Sequence, residues 1–151
     1  ARRIEEEYER ARILLGNLSP RDQFMVGIGL YWGEGTKTDT STTSFINSDP
    51  LAIKFMIAWF SDHFGVTTDG FNPYISIIES HKDRENTIKQ YWSEQTGLPL
   101  ELFRKVIYLK TQHKRVYENR DLYYGTLALR IRKSTHLKYR IRGLLKKLSR
   151  T

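Results

Sequence analysis

Hydrophobic and polar positions recur along this chain with two periods, and the switches between them divide it into elements. Residues 2–15 set Ile4, Tyr8, Ala11 and Leu15 near one stripe and Glu5, Glu6, Glu7 and Glu9 outside it, which predicts an amphipathic helix ended by Gly16-Asn17. Ser19, Pro20 and Asp22 then have the spacing of a capping box with proline at the first helical position. The helix they open carries Phe24, Met25, Val26, Ile28, Leu30, Tyr31 and Trp32. Threonine-rich residues 36–39 and 42–47 read as two short strands joined by a tight polar turn. Asp49 and Pro50 begin a helix over 51–64, whose apolar set (Ile53, Phe55, Met56, Ile57, Trp59, Phe60, Phe64) is broad enough to cover a sheet.

Beyond Gly65 the period shortens. The β-branched run 74–78 predicts a buried strand, 83–96 a helix with Ile88, Tyr91 and Trp92 inward, and 104–110 another strand. Residues 111–121 are polar and basic, as in a loop. Residues 122–132 alternate, with Tyr123, Gly125, Leu127, Leu129 and Ile131 on one face and Thr126, Ala128, Arg130 and Arg132 on the other. A last helix, capped by Ser134 or Thr135, turns Leu137, Ile141, Leu144, Leu145 and Leu148 inward beneath a face of Lys and Arg. The pattern is α+β: an N-terminal helix or linker over 1–17, then one domain over 18–151. No internal repeat appears, so a motif that works in pairs needs a second chain.

Composition narrows the partners. Residues 1–101 carry 10 Lys and Arg against 15 Asp and Glu, a net of −5; residues 102–151 carry 15 against 2, a net of +13. One strongly basic third points to a polyanion, most simply nucleic acid. There is no cysteine, hence neither disulfide nor thiolate metal site, which fits an intracellular setting. No apolar run reaches the roughly eighteen residues of a membrane span. The chain opens on Ala1, and a domain upstream of it is expected. His63, His81, His113 and His136 show no ligand spacing and read as surface residues.

Candidate chemistry concentrates in residues 19–35, SPRDQFMVGIGLYWGEG. Each of Gly27, Gly29 and Gly33 costs a helix roughly 1 kcal/mol relative to alanine. Gly29 and Gly33 are four apart, on one face, where missing side chains let another backbone approach. Glu34 ends the helix at its negative pole, a poor place for an acid unless a cation joins it. Together these features point to a paired-helix interface with a metal at its foot.

GIGLYWGEG resembles the motif of the LAGLIDADG homing endonucleases, in the branch that ends in glycine-acid-glycine. Gly29 and Leu30 match the internal Gly-Leu, Gly33 the small alanine, Glu34 the final acid and Gly35 the last glycine. FINSDPLAIKFMIAWFSDHFGV (45–66) and LALRIRK (127–133) also resemble family segments, the second strand with its helix and the fourth strand. The resemblance implies an αββαββα fold with an antiparallel sheet saddle, to which the N-terminal helix and a helix near 83–96 are additions. It implies a homodimer packed through Val26, Gly29, Leu30 and Gly33, with Mg²⁺ held between two copies of Glu34 over double-stranded DNA. Asp49, with Asn47 near it, matches the polar water pocket, although Asp49 before Pro50 is first a helix cap. Arg130 matches the basic residue of the fourth strand, with Lys133 as fallback. DNA contacts are expected from Lys37, Thr38, Thr43 and Asn47, from Lys114 and Arg115 in the basic loop, and from Arg130, Arg132 and Lys133.

Two features depart from that pattern. Only about a dozen residues make the first two strands, which limits base reading. The catalytic lysine is an arginine, which stays protonated and cannot serve as a base. The reading is therefore a Mg²⁺-dependent DNA endonuclease. The alternatives are a non-catalytic DNA-binding regulator or RNA-binding maturase on the same fold, and a purely structural dimerisation domain.

Overall fold

The computed structural model describes residues 1–37, 42–110 and 120–150. In chain order they form α1 (Arg2–Leu15), α2 (Pro20–Glu34), β1 (Thr43–Asn47), α3 (Pro50–Phe64), β2 (Phe71–Ile78), α4 (Glu85–Thr96), β3 (Lys105–Leu109), β4 (Thr126–Ile131) and α5 (Thr135–Ser149). The class is α+β, with a four-stranded mixed sheet in the order β1-β4-β2-β3.

Local signals account for most boundaries. The Asp22 N–H donates to Ser19 Oγ at 3.1 Å and the Ser19 N–H to Asp22 Oδ2 at 3.0 Å, completing the capping box of α2. The Ser19 backbone N–H and then the Ser19 hydroxyl hold the Asp22 carboxyl below its usual range. Asp49 Oδ1 accepts from the Leu51 N–H at 2.9 Å and caps α3, which Gly65 ends in the left-handed region. Gly35 ends α2 differently, with φ at −81°. Its missing side chain leaves room for Tyr31, since a Cβ there would lie 2.5 Å from both the Tyr31 ring and its carbonyl oxygen.

Pairs β1–β4 and β4–β2 are antiparallel, whereas β2–β3 is parallel, which corrects the all-antiparallel expectation. Parallel neighbours need a crossover of a dozen or more residues. Here the crossover is the 3-10 segment Glu79–Arg84, α4, and the 3-10 turn Leu100–Leu102. The helix expected as an addition is thus what delivers β3 to the sheet edge. Of the strand expected over 36–39, residues 38 and 39 lie outside the described set; next to it Gly35 bridges Phe45 and the Thr36 N–H donates to the Ser44 carbonyl.

One sheet face carries the core. Phe45, Phe71, Ile75, Ile77, Leu127, Leu129 and Ile131 meet Ile53, Met56, Trp59 and Phe60 of α3, Ile88 and Trp92 of α4, Ile28 and Tyr31 of α2, and Ile141 of α5. Each large side chain so buried contributes roughly 1.5–3 kcal/mol. Ser134 closes the base of this layer rather than capping α5. Its hydroxyl donates to the Ile131 carbonyl at 2.7 Å and accepts from the Thr43 N–H at 2.8 Å.

His81 is buried, not a surface residue, and its ring packs against Tyr123 with centroids 4.4 Å apart. Arg84 faces His81 Nδ1 at 3.1 Å and donates to the carbonyls of Arg120 and Tyr123. Arg120 in turn pairs with Asp83 at 2.6 Å. Burial, then the charges of Arg120 and Arg84, push the His81 pKa below 6.5, against the weaker pull of Asp83. A histidine neutral when folded and chargeable when unfolded makes stability fall as pH drops below its unfolded pKa. The urea midpoint should accordingly be lower at pH 5 than at pH 7.5, and His81→Gln, an acceptor that does not titrate, should narrow the difference. An unchanged difference in the variant would assign the acid sensitivity elsewhere.

Candidate nucleic-acid interface

The sheet's other face is built by the opposite set of alternating positions. Register places Ser44, Arg130 and Asn72 in one row, Ile46, Ala128, Tyr74 and Lys105 in the next, and Thr126, Ser76 and Ile107 in a third. Thr36, Ser44, Tyr74, Ser76, Ala128 and Arg130 help line a groove of about 300 Å³ on this face. The Arg130 guanidinium lies 4.6 Å over the Tyr74 ring, a cation–π contact that orients it while leaving its N–H edge available to an anion.

Two other clefts are lined by basic residues. Arg132, Lys133, His136 and Arg140 rim a cavity of about 340 Å³ floored by Phe64, Val66 and Leu137, where β4 turns into α5. Lys133 makes that turn with φ at +49°. At the foot of α2, Trp32, Lys37, Arg142 and Lys146 line a second cleft of about 250 Å³. The Lys37 ammonium donates to the Trp32 carbonyl, so one cation already sits on the negative end of α2.

Glu34 occupies the last turn of α2, exposed, and its carboxylate has no hydrogen-bond or ion-pair partner among the described residues. The outer side of α2 is apolar and uncovered. Met25, Val26 and Trp32 are exposed, Leu30 is half-buried, and a Cβ added at Gly29 or Gly33 would meet nothing within 4 Å. Val26, Gly29 and Gly33 therefore lie open; Leu30 packs partly against the core.

The other expected site residues are placed as follows. Thr43 corrects its expectation: it is fully buried, donating from Oγ1 to the Ser134 carbonyl at 3.1 Å, and cannot reach a ligand on the open face. Asn47 folds its side chain onto the Asp49 N–H at 2.8 Å, and Asp49 serves as the α3 cap. Arg132 is exposed and reaches Asn72 Oδ1 at 3.4 Å. Thr38, Lys114 and Arg115 lie outside the described residues. Tyr74, Arg142 and Lys146 were not anticipated as part of any site. The N-Y-S-I alternation of β2 carries the signal for Tyr74, whereas only the packing of α5 against α2 brings Arg142 and Lys146 to the α2 foot.

Mg²⁺ takes hard oxygen ligands in an octahedron and keeps several waters, so one or two carboxylates suffice to hold it. An exposed, unengaged carboxylate at the electronegative end of a helix suits such a cation. Among the described residues no group of three or more His, Asp or Glu could cage a metal within one chain. The donor that fits such a cation is the one carboxylate of Glu34. Compared with protein-family models, curated proteins and solved structures, the chain matches none.

Proposed function

We propose that this protein is a LAGLIDADG-type DNA-binding homodimer that cleaves double-stranded DNA with Mg²⁺. The observation that carries the reading is the conjunction at α2: an uncovered, glycine-notched apolar face ends in a carboxylate without a partner among the described residues, near the cleft that Lys37, Arg142 and Lys146 line. The order of elements supports it too. Motif helix, one strand, helix, β2, β4 and final helix run in the family's order with α4 and β3 inserted between the last two strands, while of the family's first strand the described residues give only the Gly35–Phe45 bridge.

In this proposal two α2 helices pack through Val26, Gly29 and Gly33, bringing two Glu34 carboxylates together to hold the cation. Mg²⁺, when bound, offsets charge on the attacked phosphodiester and its leaving oxygen. Arg130 grips a non-bridging phosphate oxygen from the sheet face and, being permanently protonated, acts only through its charge. Lys133, Arg132 and Arg140 hold flanking phosphates. Asp49 keeps its cap and takes no part in proton transfer. A second reading, a non-catalytic regulator or maturase, is favoured because the described residues of one chain include no group of three or more acids or histidines that could hold a metal.

The test has a binding arm and a cleavage arm. A defined DNA duplex should shift at moderate salt, and a random-sequence plasmid library should be nicked only with a divalent cation. Arg130→Ala should weaken binding about tenfold and lower the salt-dependence slope by about one. Binding without cleavage under any divalent metal would leave the second reading; no binding even at low salt would remove both.

A further inference from the structure

We infer that α1 is a second self-association element, in which the helices of two copies zip together as a short coiled coil. The inference extends the homodimer proposed above and rests on it for the identity of the partner. α1 is 14 residues long and buries none of them. Ile4 is 55% exposed, Tyr8 67% and Leu15 68%, apolar side chains that a second helix would cover. Ile4, Tyr8, Ala11 and Leu15 are separated by four, three and four residues, up to the end of the helix at Gly16. That alternation is the spacing that keeps a seam on one side of two supercoiled helices, with exposed Leu14 widening it on one flank and Ile13 lying outside it.

The flanks of the seam select a second copy of this chain as its occupant. Glu7 directly precedes Tyr8, Glu5 follows Ile4 and Arg12 follows Ala11. In a parallel in-register pair Arg12 faces Glu7 of the second copy, and in an antiparallel pair it faces Glu5, so both directions join opposite charges twice by symmetry. Arg12 now pairs with Glu9 and Glu7 with Arg10, both at the exposed surface, where such contacts exchange at little cost. Only residues 16–19 separate α1 from α2, so a two-fold axis through the α2 contact keeps the two α1 helices within reach of each other.

Sedimentation equilibrium on the full chain tests this with two variants. Tyr8→Glu/Leu15→Glu should weaken the dimer at least tenfold with an unchanged near-ultraviolet circular dichroism spectrum, because neither side chain touches the core. Arg12→Glu should also weaken it, and adding Glu5→Arg and Glu7→Arg should restore it. Gly29→Leu separates the two contacts. If Gly29→Leu breaks the dimer while the α1 double variant leaves it intact, the coil is overturned and the α2 interface stands. If the α1 variant breaks it and Gly29→Leu does not, the coil stands and the α2 interface falls. A monomeric wild-type chain removes both.

Discussion

Gly27→Ala should destabilise the protein by about 3 kcal/mol, the upper end of what overpacking a well-filled core costs. A Cβ at Gly27 would lie 2.1 Å from Trp59 Cδ1 and Nε1. The indole has nowhere to go. It is fully buried, donates from Nε1 to the Phe24 carbonyl at 3.0 Å, and stands edge-on to Phe60 and Phe64 with centroids 5.1 and 4.9 Å away. Gly29→Ala, two residues along the same helix, should do the opposite. Its Cβ meets nothing, so the monomer gains the roughly 1 kcal/mol by which alanine exceeds glycine in a helix. Urea unfolding of both variants, with Gly27→Ala/Trp59→Phe as the double-mutant control, checks the contrast. Equal effects at the two glycines would mean that the second is as enclosed as the first, and the open notch would be lost with it.

That contrast shows how far α2 could be read from residues alone. Its start, its end and its glycines were all legible, because caps, proline and the acid are local signals. Which glycine serves the fold was not, since Trp59 lies 32 positions away and only packing brings it there. Thr43 fails for a related reason. A threonine-rich segment suits a ligand-facing surface as well as a buried one, and the choice rests on Ser134, 91 residues on. In β4 the alternation placed Leu127, Leu129 and Ile131 on one face, which is the buried one, yet the strand begins only at Thr126. Gly125 turns there with φ at +72°, its Cα so close to the Ser76 carbonyl that a Cβ would approach to 2.2 Å. Likewise β3 is legible as a strand from its own residues, but its parallel pairing depends on the crossover through α4. The open-face role of Tyr74 was hidden by reading 74–78 as wholly buried, although Asn72, Tyr74 and Ser76 alternate against Pro73, Ile75 and Ile77.

Glu34→Gln should reduce Mg²⁺-dependent nicking of the plasmid library by about a thousandfold, equivalent to roughly 4 kcal/mol in the barrier. The substitution keeps the shape of the side chain and removes only the charge by which a hard cation is held. Glu34 makes no described contact within its own chain and lies exposed beyond the last buried residue of α2, so the unfolding midpoint should stay in place. DNA affinity measured without divalent metal should hold steady or rise slightly, because one negative charge per subunit leaves the neighbourhood of the phosphates. A structural acid would instead lose stability and binding together, and an acid paired only with a surface cation would change neither. Retained cleavage in Glu34→Gln would exclude it as the metal ligand. Because the proposed cation is shared between two chains, mixed dimers of one wild-type subunit and one Glu34→Gln subunit should also be impaired, which a site complete within a single chain would not predict.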